Sequence, residues 1–422
     1  MIRLYNAKIM SMKNDTNVID GEVDICDNKI SYIGKNRTEN DLKYDREIDL
    51  TGKLIMPGFK NMHTHSAMTF LRSNADDMPL LEWLNKQIFP MEAKLKGEYV
   101  YTLSKLAIME YLSSGITTNF DMYMFEESGI KASVDCGFRT VLCSALNNFY
   151  SNVDELEENY IKFNNMSELI TDKIGFHAEY TASEELIKGI ARVADKYEAP
   201  VYTHCSEGKP EVQGCIERNN MTPVQYLNKH GIFNYGGGIF HGVHLTDKDI
   251  EILKDKNVSI ITNPASNAKL ASGIAELSKY HNSGINLAIG TDGPASNNAL
   301  NMFREMYLTT ILQKLLLDDP SVMSPDIVLK MAINNGAKSV GLNNCDCLDV
   351  GKLADITVLD LMQPNMQPIN NISKNIVYAG NPSNVYMTIV NGKILYENGE
   401  FNIGENPVDI YKKSQKIIDS MR

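Results

Sequence analysis

The chain has 422 residues, of which 43% are hydrophobic, and its 53 acidic and 41 basic side chains give a formal net charge of −12. The length exceeds the usual size of a single core and suggests a large domain with a smaller one appended. The acidic balance argues against nucleic acid and anionic membranes as partners. No apolar run reaches the roughly 18 residues of a membrane span and no signal peptide is recognisable, so a cytoplasmic location is expected.

The two ends of the chain share a β-rich pattern. Short apolar runs separated by turn residues predict an antiparallel module over residues 1–55. A similar pattern returns towards the C-terminus, where Asn391-Gly392 between alternating apolar runs predicts a hairpin. We therefore expect one composite β-sandwich domain, built from residues 1–55 and 347–422 with a helical tail at the end, around a central domain of residues 56–346.

The central residues alternate helical stretches with short β-branched runs. The first run ends at His65, and seven more follow at 115–121, 139–142, 173–177, 200–204, 238–241, 257–262 and 285–291. Their number and spacing predict an α/β fold of the TIM type, a (β/α)₈ barrel with its active site at the carboxyl ends of the strands. A doubly wound open sheet is the alternative, but no glycine-rich phosphate loop follows any strand.

Four of the predicted strands end in metal-type ligands. Side chains alternate along a strand, so His63 and His65 share one face and one possible metal ion, although such a pair alone is weak evidence. His204, His241 and Asp292 fall at the ends of predicted strands five, six and eight. Taken singly, His204 could be a core histidine and Asp292 a turn residue. Together they favour a catalytic zinc-type site at one barrel mouth.

Longer motifs surround these residues. They are Pro57-Gly58 before His63-Thr64-His65, Thr203-His204-Cys205-Ser206-Glu207, His241-Gly242-Val243-His244-Leu245, Asn263-Pro264-Ala265-Ser266-Asn267 and Gly290-Thr291-Asp292-Gly293. Over nearly the whole chain the sequence resembles the amidohydrolase superfamily. The nearest branch is the deaminases of 5′-methylthioadenosine and S-adenosylhomocysteine, grouped with the chlorohydrolase-like deaminases.

The resemblance implies a role for each motif residue. One divalent metal per chain, zinc or iron, would be bound by His63, His65, His204 and Asp292. No lysine ends the fourth strand, so a second metal is not implied. The catalytic residues would be Glu207, which relays protons, His241, which polarises the attacking water, and Asp292. For Glu207 a solvated loop charge is the alternative.

The resemblance also implies substrate contacts. Glu82 would accept hydrogen bonds from ribose hydroxyls, His177 would contact the nucleoside near the ribose and purine, and Glu207 would meet the heterocycle. Trp83 is a further candidate. Packing of Trp83 on an apolar helix stripe, with Glu82 on its wet face, is the structural alternative, and His177 could be a core histidine.

The expected reaction is deamination of adenosine, 5′-deoxyadenosine or 5′-methylthioadenosine to the inosine analogue and ammonia. S-adenosylhomocysteine is less favoured because residues 142–165 contain no arginine to hold its carboxylate, Arg139 lies earlier in its strand, and Ser144 and acidic Asp154-Glu155 face the tail. Alternatives are an enzyme acting on guanine, cytosine or a substituted triazine, and a non-catalytic binding or assembly barrel. A small-molecule adenine nucleoside is the expected partner, and a homo-oligomer the expected assembly.

Overall fold

The chain forms two sheets in the computed structural model, which describes residues 1–38, 42–74, 77–78 and 80–422. The N-terminal strands are β1 (Ile2–Met10), β2 (Val18–Cys26), β3 (Lys29–Gly34), β4 (Arg46–Asp49) and β5 (Lys53–Pro57). The central strands are β6 (Phe59–Thr64), β7 (Ile116–Tyr123), β8 (Arg139–Ser144), β9 (Ile170–Ala178), β10 (Val201–Cys205), β11 (Gly237–His241), β12 (Val258–Thr262) and β13 (Leu287–Ile289). The C-terminal strands are β14 (Ile356–Asp360), β15 (Val385–Val390), β16 (Lys393–Glu397) and β17 (Glu400–Phe401).

The helices alternate with the central strands and continue beyond them. The first nine are α1 (Leu80–Trp83), α2 (Phe89–Glu92), α3 (Gly97–Ser113), α4 (Glu126–Cys136), α5 (Val153–Phe163), α6 (Glu184–Tyr197), α7 (Lys209–Asn219), α8 (Pro223–Lys229) and α9 (Asp247–Asp255). The others are α10 (Pro264–Lys269), α11 (Leu277–Asn282), α12 (Met302–Leu317), α13 (Pro325–Ala332), α14 (Asn334–Ser339), α15 (Ile372–Tyr378) and α16 (Pro407–Met421). A π-helical turn, Leu84–Ile88, joins α1 to α2, and short 3₁₀ turns occupy Ser66–Leu71, Glu179–Thr181, Pro364–Met366 and Pro382–Asn384. Of the helices in the described ranges, none has both the length and the apolar character needed to cross a bilayer.

Strands β6 to β13 form the predicted barrel. All neighbours in this sheet pair in parallel and in chain order. In β7, β8 and β12 the side chains on both faces are buried, as expected for a parallel sheet that is covered on both sides. The barrel interior is filled by a cluster of mainly large side chains that includes Met62, Phe120, Val141, Tyr202, Phe240 and Ile261. The TIM-type fold predicted from the sequence is therefore confirmed.

As predicted, strands from both ends of the chain form a second sheet, which is mixed. Its order is β17-β16-β15-β14-β5-β1-β2-β3, with β4 also paired to β1. It is not purely antiparallel, because β1 runs parallel to β4 and β5. The hairpin at Asn391-Gly392 is confirmed, and φ values of 51° and 77° at these positions explain the residue choice. The domain boundaries after residues 55 and 346 stay a prediction.

A buried ionic cluster joins the barrel to the mixed sheet. Arg139 at the start of β8 donates to both carboxylate oxygens of Asp355, at 2.6 and 3.2 Å. Lys60 of β6 lies 3.9 Å from the same carboxylate, and the backbone N–H of Asn391 donates to it at 2.8 Å. Lys60, Arg139 and Asp355 are all at most 4% exposed. Burial alone would raise the pKa of Asp355, but Arg139 and Lys60 hold it below its ordinary value.

We expect Asp355→Asn to destabilise the protein by about 3–5 kcal/mol, because two buried cations would lose their counter-charge. The midpoint of urea unfolding, followed by circular dichroism, measures this loss. The matched control is Asp360→Asn, since Asp360 is 25% exposed and meets Lys53 at 3.7 Å. That partly exposed pair should contribute no more than about 1 kcal/mol. Equal losses in the two variants would contradict a linking role for the buried cluster.

Candidate active site

Four metal-type ligands meet at the carboxyl end of the barrel. His63 lies in β6, and His65 is the first residue after that strand. His204 lies in β10, and Asp292 follows β13. Each offers one ligand atom, and these four atoms all lie within 4.8 Å of one another. The structure thus brings together side chains that are up to 229 residues apart in the chain (292 − 63).

Gly290 allows the eighth strand to approach the first. A Cβ at this position would lie 2.6 Å from the backbone nitrogen of His63 and 2.7 Å from its Cβ. Two residues later, the N–H of Asp292 donates to the carbonyl of His63 at 2.9 Å. Asp292 itself has a φ of 59°, in the left-handed region that non-glycine residues rarely adopt. The backbone therefore aims this carboxylate at the histidines.

Backbone carbonyls orient two of the histidine rings. His65 Nδ1 lies 2.5 Å from the carbonyl oxygen of Met122, and His204 Nδ1 lies 2.7 Å from that of His177. Because a carbonyl oxygen can only accept, each Nδ1 must carry the proton. In the neutral ring this leaves the Nε2 lone pair of both histidines free for a metal.

The Asp292 carboxylate is held through one oxygen and presents the other. Its Oδ2 accepts hydrogen bonds from the hydroxyls of Ser266 and Ser296, at 2.6 and 2.7 Å. Its Oδ1 lies 3.4 Å from His63 Nε2 and 3.2 Å from His65 Nε2. The two serines thus fix the carboxylate with a single oxygen directed at the rings.

Burial and mutual contact set the charges of the cluster. Burial lowers the pKa of His63 to about 3 and that of His204 well below its ordinary value, so both imidazoles are neutral. Burial would also lower the pKa of His65, but its contact with Asp292 raises it to about 9. For Asp292 burial would raise the pKa, yet contacts with His63 and His65 hold it well below the ordinary range.

The donor set fits a divalent transition metal. Both ring nitrogens of His63 are buried and have no hydrogen-bond partner among the described residues, an unfavourable state for a polar group. A metal accepting the lone pair of one ring nitrogen removes the part of the penalty that belongs to that nitrogen. Three imidazole nitrogens and one carboxylate oxygen suit zinc and related borderline ions. The cluster is a His₃Asp metal site.

Glu207 and His241 lie beside this cluster. Glu207 is only 6% exposed and His241 is fully buried. The His241 Nδ1–H donates to Asn267 Oδ1 at 2.8 Å, so its Nε2 carries the lone pair and lies 3.8 Å from Glu207 Oε2. Burial raises the pKa of Glu207, which suits a carboxyl group that holds and releases protons. Both predicted catalytic residues therefore face the same space as the metal ligands.

A cavity of about 470 Å³ opens over the metal site. Its floor includes His65, His204, Glu207, His241 and Asp292. Apolar and aromatic side chains form most of its walls: Met68, Trp83, Leu84, Ile88, Phe89, Tyr123, Phe149, Tyr150 and Leu270. This size and lining are typical of a site for a small, largely apolar ligand held by a few polar groups.

The predicted substrate contacts fall in different places. Trp83 and His177 line the cavity, and the His177 Nδ1 lies 2.9 Å from the hydroxyl of Thr181. Glu82 lies outside the cavity lining; its side chain is 44% exposed and pairs with Lys86 at 2.6 Å. The roles of these three residues stay predictions.

Glu92 is a cavity residue that the sequence analysis missed. It lines the cavity, and its carboxylate accepts a hydrogen bond from the Tyr123 hydroxyl at 2.8 Å. Burial raises its pKa to about 7, although the Tyr123 contact opposes this shift. The signal available was the helical spacing of Leu84 and Ile88, both buried, which places Glu92 on the same face one turn later.

The outer wall of the cavity carries no cation within the described lining. Arg139 lies at the opposite end of its strand and binds Asp355. Ser144 donates to Glu126 at 3.2 Å, and Tyr150 donates to the same carboxylate at 3.1 Å. A basic group for a distant carboxylate is therefore missing from the residues that line this wall.

Comparison with known proteins places these features in a family. The amidohydrolase family pattern matches residues 54–395. The chain is 38% identical over 399 residues to the 5-methylthioadenosine/S-adenosylhomocysteine deaminase of Caldicellulosiruptor saccharolyticus, a match covering 94% of this chain and 93% of that protein. It is 37% identical to the 5′-deoxyadenosine deaminase of Methanocaldococcus jannaschii, with 100% of both chains covered. A solved adenosine deaminase from Xanthomonas campestris, with bound zinc, shares 27% identity and superposes with a TM-score of 0.93, covering 100% of this chain and 98% of that one. The chain belongs to the amidohydrolase family.

Proposed function

We propose that this chain is a metal-dependent aminohydrolase that converts adenosine-type nucleosides to the inosine analogue and ammonia. The observation that carries the proposal is a His₃Asp site and a buried carboxyl group, Glu207, at the floor of one cavity. Relatives at 37–38% identity over nearly the full length carry the names of adenosine-analogue deaminases.

The proposed metal is zinc, held by His63, His65, His204 and Asp292. Support comes from the nitrogen-rich donor set and from the zinc in the solved relative. When bound, such a metal polarises water and makes it a nucleophile at neutral pH.

Glu207 and His241 are proposed to manage the protons of the reaction. A C6–O bond forms and the C6–N6 bond breaks, while one proton goes to ring nitrogen N1 and another to the departing amine. Glu207 is proposed to give a proton to N1, because it is buried, burial raises its pKa and it lines the cavity. The His241 Nε2, fixed by Asn267, accepts a hydrogen bond from the attacking water or its product hydroxyl.

Two glutamates are candidates for the ligand of the ribose hydroxyls. The family resemblance points to Glu82, whereas the contacts favour Glu92, which faces the cavity and is held by Tyr123. The Tyr123 ring centre lies 6.2 Å from that of His65, so Glu92 is on the His65 side of the metal site. We propose that Glu92 accepts the hydroxyl hydrogen bonds and that His177 and Trp83 contact the nucleoside.

The proposed 5′ substituent is neutral. Phe89, Phe149 and Tyr150 line the cavity, and Phe149 is 94% exposed. An acidic group behind that wall is Glu126, which accepts a hydrogen bond from the Tyr150 hydroxyl. A carboxylate tail would lose hydration there and gain no cation in return.

A nucleoside panel tests the proposed function. With zinc-loaded protein, we expect ultraviolet absorbance to report deamination of adenosine, 5′-deoxyadenosine and 5′-methylthioadenosine. The kcat/KM for S-adenosylhomocysteine should be at least about tenfold lower, because an unmade charged hydrogen bond forfeits about 1.5–3 kcal/mol. Chelator-treated protein is the control and should be inactive until zinc is restored. Absence of turnover with every adenine nucleoside would refute the proposal.

Glu207→Gln tests the proton relay. The amide keeps the size of the side chain but cannot deliver a proton, so kcat should fall by about 10²–10⁴-fold. Metal content, measured by atomic emission, should stay at the wild-type level because Glu207 lies outside the ligand set. A variant that keeps full kcat would remove Glu207 from the mechanism.

Glu92→Gln and Glu82→Gln separate the two ribose candidates. Replacing the carboxylate that accepts a hydrogen bond from a ribose hydroxyl should raise KM and lower kcat/KM by about 10–100-fold, as expected for a charged hydrogen bond. We expect this loss for Glu92→Gln, with little change for Glu82→Gln. Repeating both assays with a 2′,3′-dideoxy substrate should abolish the difference. A larger loss for Glu82→Gln would show that the contacts of Glu92 are not used by the substrate.

A further inference from the structure

We infer that Glu211 is a positioning residue that fixes the backbone of Glu207, and through the adjoining loop that of His241, for the deamination proposed above. It lies in the first turn of α7 and is only 7% exposed. Its side chain does not line the cavity. It therefore acts on the reaction only through the residues that it holds.

The Glu211 carboxylate accepts three consecutive backbone N–H groups. The N–H of Ser206 donates to Oε1 at 2.7 Å, and those of Glu207 and Gly208 donate to Oε2 at 2.8 and 3.4 Å. Carboxylate acceptors of this kind make strong, charge-assisted hydrogen bonds. The turn that carries Glu207 is thus anchored at the amide of Glu207 and at the amide of Ser206, the residue before it.

The hydrogen bonds of Glu211 extend beyond those of ordinary helix capping. Gly208 is the N-cap of α7, and a glutamate three residues later commonly binds the N-cap amide. The weakest of the three contacts is this one, at 3.4 Å. The two short bonds go instead to residues upstream of the helix, which capping does not require.

The anchored turn is strained and also holds the next loop. Ser206 has a φ of 55°, an unfavourable conformation for a residue with a Cβ, and its N–H is bound by Glu211. Its carbonyl accepts the N–H groups of Val243 and His244, both at 2.9 Å. These residues follow His241, which is also left-handed with a φ of 73°. One carboxylate therefore supports the backbone of both proton-handling residues.

Helix α9, whose N-cap amide is also bound by an acidic side chain three residues later, offers a matched control. Asp249 stands at the third position of α9, is fully buried, and accepts the N–H of the N-cap Thr246 at 2.9 Å. Its other described partners are the side chains of Thr222 and Gln225, away from the cavity lining. It shows that an aspartate at this position suffices to cap a helix in this protein.

Glu211→Asp is the discriminating variant. It keeps the charge and, as in α9, a side chain able to cap the helix, but it is one methylene too short to keep both short bonds. We expect kcat with 5′-methylthioadenosine to fall by about 10–100-fold, the usual effect of losing a residue that orients a catalytic group, with KM and zinc content close to wild type. Glu211→Gln should behave alike, because its NH₂ would face a backbone N–H. Asp249→Asn should keep wild-type kcat.

Hydrogen–deuterium exchange of the zinc-loaded full chain supplies a readout independent of turnover. Amide exchange in the peptide that contains residues 206–208 should be faster in Glu211→Asp and unchanged in Asp249→Asn. In the Glu207→Gln background, adding Glu211→Asp should lower kcat by a smaller factor than it does in the wild-type protein, because part of its effect is exerted through Glu207. Multiplying losses would place the role of Glu211 elsewhere and overturn the inference.

The remaining outcomes are equally decisive. Wild-type kcat or wild-type exchange in Glu211→Asp overturns the inference, and so does a Glu211→Asp chain that fails to fold while Asp249→Asn folds, since Glu211 would then serve folding. A wild-type protein that deaminates no adenine nucleoside refutes the proposed function instead, while the exchange experiment still tests whether Glu211 holds the turn.

Discussion

The seam between the last and first barrel strands is the constraint on which the active site depends. The N–H of Asp292 donates to the carbonyl of His63, and Asn61 and Thr291 exchange two further hydrogen bonds of 2.7 and 2.8 Å across the same seam. Gly290 permits this approach because any side chain there would collide with His63. The backbone of the carboxylate ligand is therefore positioned by strand pairing, and Ser266 and Ser296 then fix the orientation of its side chain. Preorganisation of this kind reduces the reorganisation needed when a metal binds.

Buried carboxylates extend the same principle to the loops around the metal site. Asp121 accepts the N–H of Ser66 at 2.8 Å, just after His65, and Glu305 accepts the N–H of Ala265 at 3.0 Å, near the asparagine that orients His241. Burial raises the pKa of Asp121 to about 6 and those of Glu305 and Glu211 to about 7. A carboxylate provides two rigid acceptors and can bind adjacent amides that a strand ladder no longer reaches. The ends of β6, β10 and β12 are held in this way, so the loops that carry the metal ligands and the proposed catalytic groups are fixed where regular pairing stops.

The sequence predicts the metal site better than the substrate cavity, for a physical reason. His63, His65, His204 and Asp292 stand at strand ends, and parallel strands of a barrel bring their carboxyl ends together whatever the loops do. This rule does not apply to Glu82, Glu92 and Glu211, which lie on helical segments. Glu82 and Glu92 lie ten residues apart (92 − 82) on a helical segment with a π-helical turn, and only the inward stripe of Leu84 and Ile88 distinguishes their faces. Glu211 reads as an ordinary helix cap, because nothing in its local pattern reveals the bonds to Ser206 and Glu207.

The cavity thus has two parts with different origins, and they divide the chemistry between them. Strand ends supply the metal ligands and the proposed proton relay, so the proposed reaction is tied to the barrel itself. The outer walls come from the segment around Glu92 and the loop of Phe149 and Tyr150, which can change without disturbing that geometry. In this chain those walls are aromatic and their charged groups are acidic. Under the proposed function, a substrate with a neutral 5′ group would be favoured less by new attraction than by the cost that a charged tail would meet, since desolvating a carboxylate near the acidic Glu126 without a cation is unfavourable.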